Sequence, residues 1–192
     1  EATITYQQLG HMISRIAQYF DSLGLKPGDT VAQLCVNRFE VFAIIAAVYL
    51  RGLRSVTLHA MSSEDDHQYV LNDCKATIII VDAYHEDRGV ALKARCPNVK
   101  TWLCLGLMPE FLELNSVIQQ FEPKPLKAYG DSETIVRIAY TGGTTGRSKG
   151  VLLSNRALTT NVILDLSTKD WPRDVRYLCV APISHGAGSL VT

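Results

Sequence analysis

The chain has 192 residues, 47% of them hydrophobic and 20% charged, and its 19 basic side chains are balanced by 19 acidic ones. That length and composition fit a folded core of one or two domains. Zero net charge offers neither a footprint for nucleic acid nor a polybasic patch for a membrane surface, and the longest apolar stretch, near Val41 to Leu50, is too short to span a bilayer.

Thr5 to Leu23 carries Leu9, Ile13, Ile16, Ala17 and Phe20 at helical spacing, with Thr5 as N-cap and Gly24 as the stop. Lys26-Pro27-Gly28-Asp29 reads as a turn into a buried strand over Thr30 to Val36. Asn37 is the expected cap of a second, strongly apolar helix that runs to about Arg51 and ends at Gly52. A short strand follows at Ser55 to Leu58. Ser62 or Ser63 caps the next helix, which runs to about Asp73 and has Glu64, Asp65 and Asp66 in its first turn, where the dipole favours them. Ala76 to Val81 is an unbroken β-branched run, the mark of a strand buried on both faces. Tyr84 to Arg95 reads as helix and Val99 to Leu105 as strand. Alternating helices and strands with short links predict an α/β layer around a mostly parallel sheet flanked by helices. A short helix near Ser116 to Phe121 leads into a linker-like stretch, 122–133, with two prolines. Beyond the loop described next, Ser154 or Asn155 caps a helix through Leu158, Val162 and Leu166, and Tyr177 to Ala181 is expected to be a strand.

Between the apolar runs Ile135–Tyr140 and Val151–Leu153 lies a loop with four glycines (Gly142, Gly143, Gly146, Gly150), three threonines (Thr141, Thr144, Thr145), Ser148, Arg147 and Lys149. Glycines let backbone approach a ligand closely, and successive N–H groups can form an anion-binding nest. Hydroxyls donate to phosphate oxygens, and a lysine adds a point charge. The loop is not the G-x-x-x-x-G-K-[ST] motif that opens a helix, because Gly150-Val151-Leu152-Leu153 reads as strand. A polyphosphate would therefore be held by N–H groups, hydroxyls and Lys149 rather than by a helix dipole; a plain Gly/Thr turn between two strands is the other reading.

Five cysteines (Cys35, Cys74, Cys96, Cys104, Cys179) include no C-x-x-C pair, and most sit in apolar runs. Buried reduced thiols are expected, which points to a reducing, cytoplasmic compartment. No His lies at ligand spacing from a Cys pair, so no metal ligand is assigned. His185 follows the last expected strand beside Gly186 and Gly188, where backbone can approach a ligand beyond a strand's carboxyl end.

Tyr140 to Gly150 closely resembles the phosphate-loop signature of the adenylate-forming superfamily, Y-T-S-G-T-T-G-x-P-K-G, with Gly142 in place of Ser and Ser148 in place of Pro. That superfamily includes acyl-CoA synthetases, luciferases and peptide-synthetase adenylation domains. Thr5-Tyr6-Gln7-Gln8-Leu9, the turn from Gly24 to Val31 and the aliphatic helix Val41 to Gly52 also resemble the amino-terminal part of acyl-CoA synthetases, so the resemblance covers nearly the whole chain. Pro182-Ile183-Ser184-His185 resembles the P-L-x-H-x-x-G segment that lines the carboxylate pocket, with Ser184 where an aromatic is usual.

The resemblance implies a partial amino-terminal AMP-binding domain over 1–192, with its phosphate loop at 140–150. The remainder of the large domain and the carboxy-terminal domain lie outside this chain, which is expected to be inactive alone. It implies carboxylate activation by ATP with Mg2+, then thioester formation with CoA, in fatty acid metabolism. Lys149 and His185 would be catalytic; Thr141, Gly142, Gly143, Thr144, Thr145, Gly146 and Lys149 would hold the nucleotide. A fatty-acyl-AMP ligase, an amino-acid adenylation domain and a non-catalytic nucleotide-binding homologue are the alternatives.

Overall fold

The structure, a computed structural model, describes residues 3–141 and 147–184. Helix α1 (Tyr6–Ser22) begins where the sequence places it. The Thr5 hydroxyl accepts from the Gln8 N–H at 3.1 Å, and the Gln8 side chain accepts from the Thr5 N–H at 2.8 Å. That reciprocal pair satisfies two of the donors a helix start leaves open. Strand β1 (Thr30–Leu34), helix α2 (Phe39–Leu50) and strand β2 (Arg54–Thr57) follow. Gly52, at φ +65°, ends α2: the Leu53 N–H reaches Val48 O at 3.0 Å and the Gly52 N–H reaches Tyr49 O at 3.1 Å. Both bonds need a residue in the left-handed region, which only glycine enters without strain.

Helix α3 (Glu64–Asp73) is capped by Ser63 through a second reciprocal box with Asp66. Strand β3 (Ala76–Asp82), helix α4 (Glu86–Arg95) and strand β4 (Thr101–Leu105) complete the alternating part. The helix expected from Tyr84 starts as a 3-10 turn, Ala83–His85, because the Asp82 carboxylate accepts from the Tyr84 N–H and tightens the chain there. A two-residue strand β5 (Leu112–Glu113), a short helix α5 (Leu114–Val117), strands β6 (Ile135–Thr141) and β7 (Lys149–Ser154) and helix α6 (Asn155–Thr168) follow.

The seven strands form one sheet in the order β5-β4-β3-β1-β2-β6-β7. Every neighbouring pair is parallel except β6–β7. Helices cover both faces, and β3 shows why its run is continuous rather than alternating. Ile78 and Ile80 pack with Ile16, Phe20, Ile44 and Val48 of α1 and α2, whereas Ile79 and Val81 pack with Val70, Leu71 and Leu92 of α3 and α4. A strand between two helical layers has no face left for water.

Three sequence expectations change. Asn37 does not cap α2: Arg38 holds the cap position, and no side chain bonds the free N–H groups. The amide of Asn37 is engaged by a distant segment instead. Tyr177 to Ala181 is not a strand; no sheet neighbour pairs with it among the described residues, and Leu178 and Val180 are about four-fifths exposed. The stretch 122–130 is irregular but fastened. Lys124 exchanges two hydrogen bonds with the Ser14 hydroxyl, at 2.8 and 2.9 Å; Gln18 donates to Glu122 O at 2.7 Å; Arg51 lies 3.8 Å over the Tyr129 ring.

Candidate functional site

The Gly/Thr loop is the tip of the β6–β7 hairpin, so it joins two strands, as the apolar runs on either side require. Antiparallel register pairs Thr141 with Lys149, Tyr140 with Gly150 and Ala139 with Val151. Thr141 and Lys149 are therefore cross-strand neighbours at the loop's mouth, both exposed, with the Thr141 hydroxyl 3.5 Å from the Lys149 carbonyl. Gly142, Gly143, Thr144, Thr145, Gly146 and His185 lie outside the described residues. Gly150 is required by close approach: a Cβ there would sit 2.8 Å from Ile138 Cγ2 and 3.2 Å from Tyr140 Cζ.

Tyr140 leans from the hairpin onto α3, where its hydroxyl donates to the Asp73 carboxylate at 2.5 Å. Burial, with the hydrogen bond to Asp73 adding to it, holds that phenol well above the usual tyrosine range, so it stays a donor. On the other side of the loop the Arg147 guanidinium lies 5.0 Å from the Tyr69 ring centroid. An open groove of about 660 Å3 runs between α3 and this arginine.

A second constellation stands at the carboxyl ends of the central strands. The chain leaves β1 toward β2 and returns across it to β3, so β1 and β3 flank the topological switch point, where open α/β sheets usually take ligands. Here the chain fills that place itself. Arg38 bridges two buried carboxylates, Glu40 at 2.7 Å and Asp82 at 3.1 Å, and these bonds keep its guanidinium firmly protonated. Beside it the Asn37 amide donates to Ala181 O at 2.9 Å and accepts from the Ile183 N–H at 2.9 Å. The Thr57 hydroxyl donates to Ser184 O at 3.0 Å. The residue before His185 is thus fixed by the ends of β1 and β2.

Sequence reading missed Asp73, Tyr69, Asn37 and Thr57 in these roles. A polar residue directly after an apolar strand was the one available signal, and for Asn37 it pointed to a cap. Gln33, buried in β1, keeps both amide atoms without a partner among the described residues. All five cysteines are free thiols. Burial pushes the Cys74 thiol up to about 12 and raises the Cys35 thiol further, so neither is a ready nucleophile. Among the described residues no group of His, Cys, Asp or Glu is placed to hold a metal, and no helix is long and apolar enough to cross a membrane.

Comparison with known proteins adds to this geometry. The medium/long-chain-fatty-acid–CoA ligase FadD8 of Mycobacterium tuberculosis is 33% identical over 200 residues, covering 100% of this chain and 35% of the ligase. The 2-succinylbenzoate–CoA ligase of Bacillus licheniformis is 30% identical over 191 residues, covering 96% of this chain and 36% of that enzyme. The chain thus spans about a third of the length of the curated relatives it matches. Among solved structures, the amide bond synthetase McbA from Marinactinospora thermotolerans superposes with a TM-score of 0.86 at 26% identity, over 97% of this chain and 37% of that one. The apo structure of MatB from Rhodopseudomonas palustris shares the fold at a TM-score of 0.85 and 24% identity, over 99% of this chain and 37% of that one. The family described as AMP-binding enzyme matches residues 1–192, and the chain belongs to it.

Proposed function

We propose that this chain is the amino-terminal part of an ATP-dependent acid–thiol ligase and contributes its phosphate-holding loop. The observation that carries the reading is the β6–β7 hairpin, which pairs Thr141 with Lys149 across its two strands at the mouth of a Gly/Thr loop. In the first step a carboxylate oxygen attacks the α-phosphorus of ATP, and the bond to the bridging oxygen of pyrophosphate breaks. Acyl-adenylate and pyrophosphate result. In the second, a thiol sulfur attacks the acyl carbon, AMP departs, and the thiol proton is released.

The protein's task in the first step is to position the phosphates and offset the negative charge of the leaving pyrophosphate. Thr141, the loop residues Gly142, Gly143, Thr144, Thr145 and Gly146, and Lys149 are assigned to that task, and Mg2+ enters with the nucleotide. His185 is assigned to the carboxylate side. Likeness to fatty-acid and aryl–CoA ligases supports CoA as the thiol. Cytoplasmic location, fatty acid metabolism and the inactivity of residues 1–192 alone belong to the same proposal.

The test is ATP–pyrophosphate exchange by the full-length protein across fatty, aryl and amino acids, followed by CoA. Exchange that depends on one carboxylate class, with a thioester formed on adding CoA, is expected. Folded protein that shows no exchange with any acid contradicts the reading.

A further inference from the structure

We propose that α3 holds the two segments that flank the phosphate loop, Tyr140 through Asp73 and Arg147 through Tyr69, and that Asp73 and Tyr69 are positioning residues for a polyphosphate met by Thr141 and Lys149. Their effect on ATP rests on the function proposed above; the hold itself rests on geometry. Strand β6 pairs with β2 at a single position, Ser55 with Arg137. Ile138 lies in the core cluster with Val56 and Leu58, but residues 139–141 have only β7, itself an edge strand, as a paired neighbour. Contacts from outside the sheet therefore help to aim the hairpin's tip.

That support is α3. Tyr140, one residue before Thr141, bonds to Asp73, and Arg147, two residues before Lys149, lies over Tyr69. Tyr69 and Asp73 are four residues apart on the helix, so they lie on one face. The helix is itself anchored. Ser63 and Asp66 box its first turn, and Arg95 of α4 reaches Glu64, Asp65 and Gln68. Arg147 rests on a neutral ring and makes no ion pair with a carboxylate among the described residues, which leaves its charge available to an anion. Fixing Tyr140 and Arg147 sets where their neighbours Thr141 and Lys149 stand, and these are the described residues that would meet the phosphates.

The experiment uses the full-length protein with Tyr140→Phe, Asp73→Leu, Asp73→Asn and Tyr69→Leu, and two readouts. The first is the rate of trypsin cleavage at the Arg147–Ser148 bond, with and without Mg-ATP. The second is the pair of KM values, for ATP and for the carboxylate, in pyrophosphate exchange. Tyr140→Phe, Asp73→Leu and Tyr69→Leu are expected to be cut several-fold faster and to raise the KM for ATP by about 10-fold, with little change in the carboxylate KM. Asp73→Asn, which keeps an acceptor for the phenol, falls between Asp73→Leu and the parent. Cleavage at the parent rate with an unmoved KM for ATP overturns the proposal. So does an equal rise in both KM values together with a lowered melting temperature, which marks general damage. If the parent shows no exchange with any acid, the ligase reading fails separately; faster cutting in the variants then still supports the hold, and unchanged cutting overturns it.

Discussion

Lys149 is where charge chemistry is most concentrated on one side chain. It is exposed and stands beside Thr141 across the hairpin, so its ammonium can reach a ligand without breaking a structural contact. Lys149→Ala in the full-length protein should cut kcat/KM for exchange by roughly 100-fold, the usual scale for losing one charge-stabilising donor, while leaving the melting temperature nearly unchanged. Gly150 gives the opposite profile. Gly150→Ala forces a methyl group against Ile138 and Tyr140 and should cost about 1–3 kcal/mol in urea unfolding, as overpacking does. Gln33→Met replaces a buried amide that has no partner among the described residues. A stability gain of about 1 kcal/mol is expected, because an apolar group of similar shape removes an uncompensated desolvation cost; a loss would show that the amide is engaged. The hairpin was legible in sequence because apolar runs on both sides of a glycine-rich stretch mark two strands and the turn between them. Tyr69 and Asp73 were not, because an ordinary tyrosine and aspartate on a helix carry no mark of what lies across from them.

Among the elements, local signals fixed the helices and the core strands. The cap at Thr5 and the glycine stop after α2 are short-range chemistry and stand where the sequence put them, and of the two serines it offered for α3 the structure uses Ser63. The β-branched run of β3 also declared burial on both faces. What failed was long-range. Asn37 has the residue type and place of a helix cap, yet its amide is engaged 144 and 146 residues away, by Ala181 and Ile183. Nothing near Asn37 in sequence encodes that. The expected strand over Tyr177 to Ala181 failed for a related reason: apolar residues propose a strand, but a sheet neighbour makes one. The Asn37 bond can be tested alone. In Asn37→Ala the Ile183 amide should exchange with solvent about 10-fold faster or more, for loss of one hydrogen bond of about 1.5 kcal/mol, while amides of β1 and β3 keep their protection. Unchanged exchange at Ile183 would show that the segment is held by something else.

At the scale of the whole molecule, a buried imidazole, His67, and a half-buried one, His85, contribute to the response to acid. His67 is almost fully buried; its Nε2 lies 2.9 Å from His59 O and its Nδ1 lies 3.2 Å from Arg88 Nη1. Burial lowers its pKa, and burial lowers that of His85 too. A base whose folded-state pKa is depressed contributes stability above its unfolded value, about 6.5, and loses it as pH falls through the folded value. Unfolding free energy should therefore drop below about pH 6.5, and His67→Gln should flatten that drop. An unchanged pH slope in the variant would assign the acid response elsewhere. The sheet itself bears on why the proposed site lies toward one edge. Arg38, Glu40 and Asp82 fill the switch point between β1 and β3, and the proposed phosphate site lies instead at the β6–β7 hairpin.

The most direct test of the account is carboxylate-dependent ATP–pyrophosphate exchange by the full-length protein, measured side by side with Lys149→Ala. Exchange in the parent that requires an added acid and falls roughly 100-fold in the variant, with both proteins equally folded, is the predicted result. Equal exchange in the two proteins would remove Lys149 from the chemistry, and no exchange in a folded, ATP-binding parent would contradict the ligase reading itself.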